Sequence, residues 1–265
     1  HPPLDLNHLD KPARSILLTT TMGSESIMQS SDQTAAIVDE KFYAPTKTVF
    51  TVTKCFTSKG AGFTVTDSAG PTAVMEVETT EVGVRNLSCL LYRDAASPSP
   101  LITLQEAMIS STGQRQWKAF RGHGTNGSDL LFVAVDMTRF FQMGITVHVF
   151  RAGNTPRDEK PDFVVRGSYY RGAMTVSRRN EKDNYIDIAD IAEIGRESSL
   201  WCAMLGHNTY TVGISQGVDQ AFVLALTVIL DQTYSPKLDS CCCACDHSSP
   251  YGRDCRRRQN RSIDI

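Results

Sequence analysis

Long apolar runs are scarce in this chain of 265 residues. None reaches the roughly 20 residues a helix needs to cross a bilayer. Ser15-Ile16-Leu17-Leu18 is too short for the core of a secretory signal. An excess of charge of one sign is also missing: 27 Lys and Arg face 29 Asp and Glu, a net of -2. That balance excludes a global pull toward nucleic acid or an anionic membrane and leaves only local patches. Cysteine is sparse in the body, where only Cys55, Cys89 and Cys202 occur, so no disulfide framework is expected. The expected location is cytoplasmic, with peripheral attachment at the plasma membrane if a local patch allows it.

Catalytic signatures are missing too. No H-E-x-x-H pair is present among the six His. No G-x-S-x-G elbow occurs. The Gly-rich stretch Arg121-Gly-His-Gly-Thr-Asn-Gly127 lacks the Lys-Ser/Thr ending and following helix of a phosphate loop. His148 is opposite in phase to Val147 and Val149 and reads as an outward or hydrogen-bonded strand residue, not a catalytic base. Trp117 and Trp201 read as core or rim packing, not as a base-stacking platform. The expectation is a non-enzyme with no catalytic residues, no cofactor and no metal.

Short β-prone segments are what the chain has instead. Thr48–Lys54, Gly62–Asp67 and Ala73–Val77 come first, with turn residues Asp67-Ser-Ala-Gly70 joining the second to the third. In Gly62-Phe-Thr-Val-Thr-Asp67 the apolar residues alternate with threonines, the period of a half-buried strand. Further segments follow at Asn86–Tyr92, Pro100–Gln105, Gln116–Phe120, Leu130–Val135, Ile145–Phe150, Phe163–Gly167, Ala173–Ser177 and Tyr210–Ile214. No long helix alternates with them, which argues against a crossover sheet and for a barrel or sandwich.

One segment breaks the pattern. Ala221-Phe-Val-Leu-Ala-Leu-Thr-Val-Ile-Leu230 lies between Asp219 and Asp231. Asp219 suits an N-cap or first-turn position, and Pro236 lies beyond the end. A helix over 218–232 would be about 22 Å long. Val223, Val228 and Ile229 favour a strand; Ala221, Leu224, Ala225 and Leu226 favour a helix, and length and capping decide for the helix. Phe222, Val223, Leu224, Leu226, Val228, Ile229 and Leu230 leave it apolar on every side, so it must be enclosed. A chain of strands can enclose it by closing its sheet.

Four strings now carry a resemblance. Gly62-Phe-Thr-Val-Thr-Asp-Ser-Ala-Gly70, Trp117-Lys-Ala-Phe-Arg-Gly122, Val165-Arg-Gly-Ser-Tyr169 and Gly217 through Asp231, in that order, resemble the plant LURP-one-related family. The resemblance implies a mainly β fold: a closed, twelve-stranded antiparallel β-barrel around a central hydrophobic C-terminal helix, an architecture shared with tubby C-terminal domains and phospholipid scramblases. It implies no reaction, and a link to plant defence. It covers about residues 36–232, and the chain divides accordingly: a flexible segment over 1–35, the barrel domain over 36–233 and a Cys-rich, basic, flexible tail over 234–265. The chain departs from the family pattern at Gln105-Glu-Ala107 and Ile194-Gly-Arg-Glu197, where members carry basic residues.

Two features could touch a partner. Arg166, Arg171, Arg178 and Arg179 form a modest basic cluster that could hold an anionic lipid headgroup; the alternative is a solvated face. In the tail, Cys241, Cys242, Cys243 and Cys245 precede Arg256-Arg-Arg258, a pairing that suits S-acylation beside an anionic membrane. Zinc binding and an inert extension are the alternatives, and the crowded cysteines lack the C-x₂₋₄-C spacing of structural zinc. The expected function is a binding or membrane-tethering module, with phosphoinositides as the expected lipid, that acts as a monomer. Its expected partner is an anionic phospholipid surface or a protein of unknown kind, with nucleic acid unexpected. Scramblase-like lipid transport and a purely protein-interaction or structural role are the competing readings.

Overall fold

The computed structural model describes residues 36–57, 60–68, 70, 72–82, 86–92, 99–108, 113–139, 144–154, 160–179, 188–197 and 208–235. Twelve strands run in sequence: β1 Thr48–Thr57, β2 Gly60–Asp67, β3 Ala73–Val82, β4 Asn86–Tyr92, β5 Ile102–Met108, β6 Arg115–Arg121, β7 Leu130–Asp136, β8 Ile145–Arg151, β9 Phe163–Ser168, β10 Ala173–Arg179, β11 Ile188–Arg196 and β12 Thr209–Ile214. Each pairs antiparallel with its chain neighbours, and β12 returns to β1, so the sheet closes. Closure leaves no edge strand to be covered. Eleven of the strands coincide with segments read from the sequence. The twelfth, β11, does not.

Side chains alternate as the pleat demands. Phe50 and Val52 on β1, Phe63 and Val65 on β2 and Val212 and Ile214 on β12 point inward and are buried. So do their counterparts around the ring, such as Leu104, Ala119, Val149 and Ile194. β3 and β4 run in unbroken register from Glu76 opposite Tyr92 to Val82 opposite Asn86.

Helix α1, Gln220–Tyr234, fills the space the strands enclose. Every residue from Ala221 to Asp231 is buried. Phe222 meets Phe132 edge-on at 5.1 Å and Phe163 at 4.9 Å. Each large apolar side chain buried here contributes about 1.5–3 kcal/mol. Thr227, polar and fully buried, satisfies itself by donating to the Val223 carbonyl at 3.0 Å.

A short strap closes the end of the barrel where α1 begins. Asp219 is the N-cap, accepting from Phe222 N at 3.2 Å. Its other carboxylate oxygen accepts from Val38 N at 2.7 Å and Asp39 N at 3.4 Å. Ala44 N donates to Val218 O at 2.9 Å, and Gly217 N to Ala44 O at 2.8 Å. Val38 and Ala44 are buried beneath a 3₁₀ turn, Glu40–Phe42. One carboxylate therefore starts the helix and holds the strap.

Two consequences can be measured. Leu226→Asp puts an unpaired charge into the closed core and is expected to abolish folding, read as loss of cooperative melting by circular dichroism. The second concerns Asp219, whose burial raises its pKa above 3.8 against the opposing hydrogen bonds. The fold thus favours its protonated form, so its contribution is greatest below 3.8 and is lost as pH rises through the raised value. Asp219→Asn is expected to flatten that part of the stability–pH curve while keeping the cap, whereas Asp219→Ala costs at least about 1 kcal/mol at every pH.

Candidate functional site

At the opposite end, where α1 stops, the inward rows of the strands turn polar. Two residues beyond Val52 on β1 stands Lys54; two beyond Leu104 on β5 stands Glu106; two beyond Ala134 on β7 stands Asp136; two beyond Ile194 on β11 stands Arg196. The same inward row of β12 begins with Tyr210. The period-two pattern that buries the core thus carries ionisable groups into the barrel mouth.

Asp231, on the last buried turn of α1, is the centre of this ring and is completely buried. Lys54 Nζ lies 2.7 Å from its Oδ2. Its Oδ1 accepts from Tyr210 OH at 2.6 Å and from Asn208 Nδ2 at 2.7 Å. Tyr169 OH meets Tyr210 OH at 2.9 Å; because the Tyr210 proton is committed to Asp231, Tyr169 is the donor. Asn208 Nδ2 also approaches Ser235 Oγ at 2.9 Å. A carboxylate at a helix C-terminus opposes the helix dipole. Lys54 offsets it here, and Arg115, donating from Nη1 to Thr233 O at 2.7 Å, adds a second cation at the same terminus.

A second set of bonds fixes the other side of the helix end. Trp117 Nε1 donates to Thr233 Oγ1 at 3.0 Å. Tyr234 OH donates to Asp136 Oδ1 at 2.7 Å and meets Thr138 Oγ1 at 3.0 Å. Glu106 lies 3.6 Å from Arg115 Nε. Arg196 donates from Nε to Tyr169 O at 3.2 Å and stacks on the Tyr169 ring at 4.6 Å.

Chemically these groups are committed to one another. Burial, and after it the Asp231 charge, pushes the Tyr169 and Tyr210 hydroxyls above their usual range, and burial does the same for Tyr234. All three stay protonated donors, unsuited to abstracting a proton near neutrality. No group of three or more His, Cys, Asp or Glu that could hold a metal ion occurs among the described residues.

The arginines singled out from the sequence share the β9–β10 hairpin but divide between its two ends. Arg166, opposite Thr175, is exposed near the polar end, and Arg171 is exposed in the turn that follows. Arg178, opposite Phe163, and Arg179 lie toward the strap. Arg171 and Arg178 are seven residues apart, roughly 20 Å along a strand. His148 is half-buried on the outer face of β8, and burial, then the Arg166 charge, holds its pKa below 6.5. His123 is exposed in a hairpin. Cys241, Cys242, Cys243, Cys245 and Trp201 lie outside the described residues. Sequence reading missed the ring around Asp231. Its signal was an ionisable residue in phase with an apolar row, as in Phe50-x-Val52-x-Lys54.

Comparison with known proteins places this geometry. A family model described as LURP-one-related matches residues 48–231. The chain belongs to the LURP-one-related family. It is 31% identical to LURP-one-related 15 of Arabidopsis thaliana over 197 residues, 74% of this chain and 84% of that protein. It is 27% identical to LURP-one-related 10 of the same plant, over 74% of this chain and 95% of the relative. The X-ray structure of a protein from Arabidopsis thaliana is similar with a TM-score of 0.52 at 26% identity, covering 76% of this chain and 99% of that one. The strap and the Thr233–Ser235 contacts fall outside the LURP-one-related match, yet they close both ends of α1.

Lys54→Met leaves Asp231 buried without its cation and is expected to cost about 3–5 kcal/mol in urea denaturation. Adding Asp231→Leu is expected to recover part of that loss, since an apolar pair replaces a stranded charge. A silent Lys54→Met would show that the ion pair does not hold this end.

Proposed function

We propose that the chain is a non-enzymatic binding module that tethers at membrane surfaces, in keeping with a role in plant defence signalling. The observation that carries this reading is the filled interior. A ligand pocket or active site is a cleft lined by a few convergent polar groups. Here α1 occupies the space within the barrel, with Ala221 to Asp231 buried. The polar groups at the mouth are bonded to one another. Partners must therefore meet the outer wall or the ends.

The membrane part of the reading rests on charge. Arg166 and Arg171 are exposed on the barrel, and Arg179 is partly so. The sequence beyond Ser235 carries Cys241, Cys242, Cys243 and Cys245 with Arg256-Arg-Arg258. Acylation of those cysteines would add a hydrophobic anchor to an electrostatic one, the two signals stable anchoring takes. Scramblase-like transport is the less supported reading. At 15 residues, α1 would span only about 22 Å of a hydrocarbon core about 30 Å thick, and leaving the barrel would expose its apolar surface.

Flotation of the unmodified full chain with phosphatidylserine vesicles tests the reading. Binding at low salt that weakens as salt rises is expected. A chain that fails to float at any salt would contradict direct lipid attachment. Replacing Arg256, Arg257 and Arg258 by Ser is expected to weaken flotation without abolishing it.

A further inference from the structure

Resting on the membrane-tethering reading, we propose that the barrel meets anionic phospholipid with the end at which α1 stops, through the turn carrying Tyr170 and the neighbouring turn carrying Met137. The two ends of the barrel differ in what they present. Tyr170 is 75% exposed and Met137 37%, two of the three large hydrophobic side chains exposed among the described residues; the third, Val74, lies near the strap end. Their turns are neighbours, because β8 lies between β7 and β9 and Ile145 pairs with Gly167. The backbones there are close: a Cβ on Gly144 would stand 2.7 Å from Gly167 O.

Positive charge surrounds these apolar tips. Arg139 follows Met137 and Arg171 follows Tyr170, both exposed. Arg166 stands exposed on the outer wall of β9, and Arg196 is half-buried over Tyr169. Glu193 and Glu197 are exposed acids on the β11 side, while Asp136, directly before Met137, accepts from Tyr234 and Glu106 faces Arg115. At the other end Lys41 pairs with Asp39 at 2.8 Å and Arg151 with Asp162 at 3.1 Å, and Lys47, Arg121 and Lys160 are exposed, so what sets the polar end apart is the exposed Tyr170 ring among its arginines. An amphipathic aromatic with arginines around it suits the headgroup layer, where the ring sits at the interface and the guanidinium groups meet phosphate.

The exposure of Tyr170 is built in. Tyr169, just before it, is locked by its hydroxyl to Tyr210 and by its ring under Arg196, and its ring meets that of Tyr170 edge-on at 6.0 Å. Gly172 N donates to Tyr169 O at 3.1 Å and Arg171 N to Ser168 Oγ at 3.2 Å. Gly172 itself takes φ of 69°, and a Cβ there would collide with the carbonyl oxygen of Arg196. The turn thus holds an apolar ring in water on a rigid base, which lowers the entropy lost on docking. Helix α1 ends on this side, where Asn208 Nδ2 meets Ser235 Oγ at 2.9 Å.

The full chain is titrated with phosphatidylcholine vesicles with and without phosphatidylserine. Tyr170→Ser and the pair Arg166→Glu with Arg171→Glu are compared with an opposite-end control, Lys47→Glu with Lys160→Glu, both exposed at the strap end. The proposal expects each polar-end variant to bind phosphatidylserine vesicles at least about tenfold more weakly, with melting unchanged and the control near wild type. In Tyr170→Trp it expects the indole emission to shift to the blue on binding. Wild-type binding lost in the control but retained in the polar-end variants would overturn the docking face and leave membrane tethering standing. Binding with no response of an indole at position 170 would overturn it likewise. Absence of wild-type binding would remove the tethering reading and this inference together.

Discussion

A helix with no polar face must be surrounded, and the rest of this structure depends on that requirement. α1 cannot lie on a sheet, because one side would remain in water. Twelve antiparallel strands closed into a ring give it apolar side chains in every direction, and the helix in turn fills a barrel whose own inward residues could not fill it. Neither part buries its apolar surface without the other. Register is fixed by the same demand, since a slip of one residue would turn Val52, Val65, Ile194 and Val212 outward together.

Two aspartates finish what apolar burial leaves undone. A buried helix has unsatisfied amides at its start and carbonyls at its end. Asp219 answers the first need and fastens the strap across the barrel floor. Asp231 stands at the second end, where its charge is unfavourable to the dipole, and is held by Lys54, Tyr210 and Asn208. Apolar packing permits small shifts of the helix along its axis; directional bonds at both termini permit one position. A buried ion pair adds little net stability over an apolar pair, so positional specificity is the more natural consequence of placing one here.

The helix was legible because composition and ends agreed: Ala and Leu outweighed Val and Ile, and Asp219 stood where a cap belongs. It runs two residues later than expected at each end, since Thr233 and Tyr234 are held by Trp117 and Asp136, partners that only the closed barrel brings near. Strands with clean alternation were legible too. β11 was not, because Ala189, Asp190 and Glu193, all exposed, interrupt its short apolar row of Ala192 and Ile194. The Asp231 ring escaped notice for a related reason. Alternation was read as apolar inside and polar outside, and Lys54, Glu106 and Asp136 are polar residues in inward positions near a barrel end. The arginines of β9 and β10 are close in sequence, but a hairpin sends such neighbours to opposite ends, which no local pattern reveals.

The central claim is that α1 is the keystone, held everywhere at once and not separable from the barrel. Native-state hydrogen exchange of the amides of Val223 through Leu230 tests it most directly. If helix and barrel form one cooperative unit, these amides exchange only through global unfolding, with an opening free energy equal to the stability from denaturant melts and the same denaturant dependence. Exchange through an opening well below the global free energy, with β1, β2 and β12 still protected, would mean that the helix leaves an intact barrel and would contradict the claim.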